Sequence, residues 1–182
     1  MPVRGTFAPV DRGPASKTRY AVGRDALLQG AGTALVAVFS YATASQVPFL
    51  RETFWAPIAA IVVLYPDGET TRKAALERFL GTAIGSLIGW ASAATWHHHI
   101  AVYGAAVVLA VGACHLLKLE ATSRLCAVAV TVITIVPHAD RPHLVALYRF
   151  IEVSYGVLCA LAYTTVVDRV KRRRRGAATP AD

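Results

Sequence analysis

FWAPIAAIVVLYPDGETTRKAALERFLGTAIGSLIGW, residues 54–90, holds the pattern that decides the fold. An apolar run stops at Tyr65-Pro66. Proline has no N–H to give a helix and pushes its predecessor out of helical geometry. A short polar turn follows, then a basic amphipathic stretch that passes directly into a second apolar run. Glycine recurs there at 81, 85 and 89. That spacing puts three small residues on one helix face, where they let helix backbones approach closely in lipid. In this reading Thr70 caps the second helix, Gly68 relieves the turn after Pro66, and Arg72 and Lys73 meet lipid headgroups.

Further apolar segments lie near 26–45, 53–65, 79–96, 99–117, 122–136 and 145–167. A spanning helix takes about 20 apolar residues, so the second and fifth segments are short. The expected fold is an all-α membrane protein with six transmembrane helices; five spans is the alternative. Residues 1–23 read as a mobile basic leader, 24–168 as the membrane domain, and 169–182 as a basic disordered tail. Nothing before residue 25 resembles the apolar region of a removable signal peptide.

Composition agrees with lipid as the solvent. Of 182 residues, 55% are hydrophobic and the mean hydropathy is +0.46, whereas soluble domains run at roughly 45–50% apolar. The net charge of +8 raises nucleic-acid binding, but the cations flank apolar segments and form no stripe on a soluble face. With both termini placed in the cytoplasm, 16 Lys and Arg fall inside and only Arg51, Arg141 and Arg149 fall outside. This bias gives an even number of spans in the inner membrane.

At an offset of 71 the chain resembles itself. Ala75-Leu76-Glu77-Arg78-Phe79 aligns with Ala146-Leu147-Tyr148-Arg149-Phe150, Pro66 falls on Pro137, and Gly85 on Gly156. Three spans against three gives halves of opposite topology, the layout of a 3+3 inverted repeat. In that layout Arg78 and Arg149 are counterparts at opposite membrane faces.

Phe54-Trp55-Ala56-Pro57, Gly68-Glu69-Thr70-Thr71, Arg78, and Gly81-Thr82 running into Gly85 resemble the fusaric-acid-resistance family of integral membrane proteins. Arg149, Glu152 and Gly156 resemble its closing helix. The family is linked to aromatic carboxylic acid exporters and, more distantly, to plant malate channels. Larger exporters of this kind carry two such membrane halves plus cytoplasmic domains. A single half implies a homo-oligomer, taken as a dimer, or a member with another role.

The expected function is therefore export or permeation of small organic anions, with an anion channel or a non-transporting membrane scaffold as alternatives. Arg78 and Arg149 would attract carboxylates at the two mouths. Glu152 would tune or proton-couple passage, or simply pair with Arg149 one turn away. Gly81, Gly85, Gly89 and Gly156 would serve helix packing, and Trp55, Pro57, Gly68, Thr70 and Thr82 carry the family motif. No phosphate-binding loop, nucleophile elbow or dinucleotide fingerprint is present, so neither an enzyme nor a cofactor is expected. Cys114, Cys126 and Cys159 fit no metal spacing and read as packing residues, and His97-His98-His99 as an exposed turn.

Overall fold

The computed structural model describes residues 15–95, 99–119, 122–136 and 141–177, with side chains described for 26–173 of these. They form six α-helices and, among the described residues, no strand. The helices are α1 (Ala15–Ala44), α2 (Trp55–Val63), α3 (Gly68–Thr95), α4 (Ile100–Leu116), α5 (Ser123–Ile135) and α6 (Pro142–Ala177). Two of them combine the length and hydropathy of a membrane span, Ala26–Ala44 within α1 and Pro142–Arg173 within α6. Pro137, His97 and His98 lie outside the described residues.

Helix α1 begins at Ala15, ahead of the expected leader boundary at 24, and α6 runs through the basic segment expected to be disordered, to Ala177. Lys and Arg are good helix formers, and cations at a helix C-terminus complement its dipole. The chain divides into two compact units, Met1–Gly32 and Thr33–Asp182. The second holds the end of α1 and the remaining five helices.

The α2–α3 turn is built by side chains. Pro57 sits in the first turn of α2, where its missing N–H removes no helical bond. The cap of α3 is Asp67, not Thr70: its Oδ2 accepts both the Thr70 N–H and the Thr70 hydroxyl at 2.8 Å. These bonds, the backbone one first, hold the Asp67 carboxyl below its ordinary value of 3.8. Thr71 is fully buried beneath the turn. Its hydroxyl accepts the Tyr65 N–H at 3.0 Å and lies 3.1 Å and 3.0 Å from the carbonyls of Tyr65 and Asp67.

Gly68 does not relieve the turn, since no glycine among the described residues has positive φ. A Cβ there would strike the Asp168 carboxylate on α6, so glycine serves close approach. The one described residue with positive φ outside glycine is Lys118 (57°), just past the end of α4. The N–H groups of Lys118 and Leu119 reach the carbonyls of His115 (3.0 Å) and Cys114 (2.8 Å), which closes a Schellman motif.

Ala56 lies against Gly156 and Gly68 against Asp168, so α2 runs alongside α6 in the same direction. Phe79 packs on Phe150 with ring centroids 5.1 Å apart, and Trp90 shares a groove with His143, so α3 runs against α6. The glycine face of α3 meets α5. A Cβ on Gly85 would lie 2.5 Å from the Cys126 carbonyl oxygen and 2.6 Å from Ala129 Cβ; Gly81 faces Thr122 and Leu125, and Gly89 faces Ile133. On α1, Val36, Ser40 and Ala44 are buried at four-residue spacing. Val36 joins Ala59, Val63, Val153 and Ala160, and Ala44 joins Leu50 and Ala56. Cys114 and Cys126 are buried together with Ala106, Ala110 and Val130.

The size distribution inverts that of a soluble domain. The buried set is dominated by Ala, Val, Gly, Ser and Thr, while Leu35, Phe39, Leu87, Ile100, Leu109 and Leu158 are exposed. Small residues between helices and large apolar ones outside are what packing in lipid selects.

Candidate functional site

The buried charged groups among the described residues gather where the start of α2, the middle of α3 and the first half of α6 meet. Arg78, Glu152 and Arg149 are 7%, 1% and 4% exposed. Arg149 donates from Nη2 to Glu52 Oε2 at 2.7 Å, and its guanidinium carbon lies 3.9 Å from the Trp55 ring centroid. The Trp55 indole N–H donates to the same Glu52 oxygen at 2.9 Å. Glu152 Oε1 accepts the backbone N–H of Glu52 at 2.7 Å, and its other oxygen stands 4.0 Å from Arg149 Nη1. One carboxylate thus binds the arginine, and the other fixes the backbone that carries it.

Placement of Arg78 and Arg149 at two opposite mouths is corrected by the structure. Both line one small, partly open cavity of about 10 Å³, together with Trp55, Thr82, Leu125, Val128 and Val153 among others. Residues near a crossing point stay close however far apart they lie in the chain, and α3 and α6 cross where Phe79 meets Phe150. Arg78 Nε has no hydrogen-bond partner among the described residues, nor do Arg149 Nε and Nη1. Both arginines thus line a space the size of one water molecule, while part of each guanidinium group is buried without a hydrogen-bond partner among the described residues.

Glu52 escaped the sequence reading. It stands in the non-helical segment between α1 and α2, 34% exposed along its side chain. The available signal was an acid three residues before Trp55, at the mouth of an apolar run with no other carboxylate. Of the motif residues, Trp55, Thr82 and Arg78 share the cavity; Pro57, Gly68 and Thr70 shape helix starts elsewhere. Gly156 lets the Ala56 backbone lie directly on α6, with Ala56 Cα 3.0 Å from where a Cβ would stand. Among the described residues no group of His, Cys, Asp and Glu is arranged to hold a metal ion, and His99 and His143 are exposed.

Two larger grooves of about 280 Å³ and 530 Å³ run along the outer α3/α6 seam. Arg72, Ala75, Leu76, Phe79, Ser154, Val157, Leu158 and Leu161 line the first. His143, Ala146, Leu147, Phe150, Ala83, Ser86, Leu87 and Trp90 line the second. Taken in that order, each residue of one groove is 71 positions from its mate in the other.

A family model described as fusaric acid resistance protein-like matches residues 33–163. No curated protein and no solved structure matches the chain.

Proposed function

Because the chain belongs to the fusaric acid resistance protein-like family, whose members are membrane transport or resistance proteins, we propose that it passes small organic anions across the inner membrane as a homo-oligomer, taken as a dimer. In this reading six helices cross the bilayer, with both termini and the Asp67 turn in the cytoplasm. Membership and two membrane-length helices support a membrane protein; the proposed substrate class rests on the site. The observation that carries it is the convergence of Arg78 and Arg149 on one cavity with guanidinium donors unused. Arg78 is a desolvated cation whose charged neighbour is another arginine, which is costly, and an anionic group passing between it and Arg149 would relieve that cost.

An inverted-repeat architecture supports the same reading. Gly85 faces the Cys126 carbonyl as its mate Gly156 faces the Ala56 carbonyl. Phe79 meets its own mate Phe150, and the two outer grooves correspond residue by residue. A pseudo-twofold axis through the α3/α6 crossing would exchange each of these pairs and would set near each other those closest to it, Phe79 with Phe150 and Arg78 with Arg149. Transport pathways lie at such repeat interfaces.

The test is uptake of an aromatic carboxylate such as benzoate into proteoliposomes. Saturable flux that is lost in Arg149→Gln is expected. Flux no greater than that of empty vesicles, across several anions and a pH gradient, overturns the transport reading. A scaffold reading keeps one observation in its favour, the small size of the cavity, about 10 Å³, and would leave all fluxes at the empty-vesicle level.

A further inference from the structure

We propose that Arg149 and Trp55 form a carboxylate-binding subsite, and that the side chain of Glu52 occupies it as a displaceable internal competitor. The inference rests on reading the Arg78–Arg149 cavity as an anion site.

The contacts of Glu52 are those a free carboxylate would make. One oxygen takes an arginine N–H at 2.7 Å and an indole N–H at 2.9 Å. A charge-assisted bond from Arg is the usual way to grip a carboxylate. The arginine is flattened against the Trp55 ring at 3.9 Å, so the donor pair is pre-oriented. The recognising atoms belong to the helices α2 and α6, whereas Glu52 belongs to the segment that precedes α2. Its side chain is one-third exposed while Arg149 is buried. The seat is therefore rigid, and its occupant is the part nearest solvent.

The repeat strengthens the assignment. At the offset of 71, the mate of Glu52 is Ser123 and the mate of Glu152 is Gly81. Arg78, mate of Arg149, accordingly has neither carboxylate of the pair that surrounds Arg149. A scaffold requirement for buried ion pairs would apply to both halves alike. A competitor is needed at only one of two cations for the cavity to be closed from one side. Displacement moves no covalent bond: Glu52 leaves, a ligand carboxylate takes the Arg149 and Trp55 donors, and Arg149 Nε and Nη1 become available to its second oxygen.

The ligand class is a monocarboxylate, and an aromatic one has the Trp55 ring beside its seat. Benzoate binding to the purified protein in nanodiscs, followed by calorimetry, tests this without requiring flux. Glu52→Gln keeps the shape but loses the charge, and is expected to bind benzoate about tenfold more tightly than wild type or better. Glu52→Ala should move in the same direction, which covers failure of either variant to fold. Neutral benzamide should show no such gain, and Arg149→Gln in the Glu52→Gln background should erase it. Equal or weaker benzoate affinity in both Glu52 variants, a gain that survives Arg149→Gln, or no binding by any folded variant overturns the proposal. Tighter binding with no flux in any variant supports the subsite and overturns the transport reading alone.

Discussion

Arg149 and Glu52 are 97 positions apart in the chain and 2.7 Å apart in the fold. Their bond ties the entry of α2 to α6, and Glu152 secures it by holding the Glu52 backbone. Removing the cation from this group should be severe. Arg149→Met leaves Glu152, 1% exposed, without its neighbouring cation. A loss on the order of 3–5 kcal/mol is expected for breaking a buried pair from one side. Thermal unfolding of the protein in nanodiscs measures it.

Arg78 should behave in the opposite way. Its Nε has no hydrogen-bond partner among the described residues and its charged neighbour is another arginine. Arg78→Met removes a desolvated cation while filling a similar volume, so stability should hold or rise by about 1–4 kcal/mol. Benzoate uptake should fall at the same time. A melting temperature at or above wild type with lost uptake is the expected pair of readings.

The glycines divide by what faces them. Gly156→Ala would drive a methyl into the Ala56 backbone, and Gly85→Ala into the Cys126 carbonyl, where neither neighbour has a rotamer to change. Each should cost about 1–3 kcal/mol through overpacking. Gly104 and Gly112 have nothing within 4 Å of a Cβ. Alanine at either should be neutral or stabilising by about 0.8–1 kcal/mol from helix propensity. Melting temperatures of the four variants should separate into two groups.

Asp67 gives the α2–α3 turn a pH dependence. Its folded-state pKa lies below the ordinary 3.8 because the ionised form accepts the Thr70 N–H and hydroxyl. The stabilisation is therefore complete above the ordinary value and is lost as pH falls through the folded one. Asp67→Ala should be less stable than wild type at neutral pH, and the gap should narrow below pH 3.8. Paired melting curves across that range check it.

Lys118 holds φ at 57° in the Schellman motif after α4. A side chain there carries the left-handed penalty, which glycine lacks, although glycine gains unfolded-state entropy. Lys118→Gly should stabilise by about 0.5–1 kcal/mol. The melting temperature is again the readout.

Local pattern carried much of the fold. Pro66 ended α2, and the glycines at 81, 85 and 89 marked a packing face, because both act over a few residues. Thr70 was misread as the cap because Asp67 and Thr70 both suit a helix start; only their mutual bond distinguishes the acceptor from the donor. Glu52 was invisible because its meaning lies in partners about a hundred residues away. Arg78 and Arg149 were expected at separate faces but line one cavity. Sequence order does not say where along α3 and α6 the two helices meet, and that meeting point sets how near the arginines stand.

Many of the closest helix contacts in the bundle are made by side chains with almost no torsional freedom. Ala56, Ala59, Ala60, Ala75, Ala106, Ala110 and Ala160 are fully or nearly fully buried, beside Gly85 and Gly156. Away from the Trp55, Arg78, Leu125 and Arg149 side chains that line the cavity, these helix contacts have few rotamers to swing aside. In the transport reading the Glu52 side chain leaves the Arg149 seat first, and any wider passage through these Ala- and Gly-lined contacts takes whole helices sliding or tilting as rigid rods, timed by backbone motion.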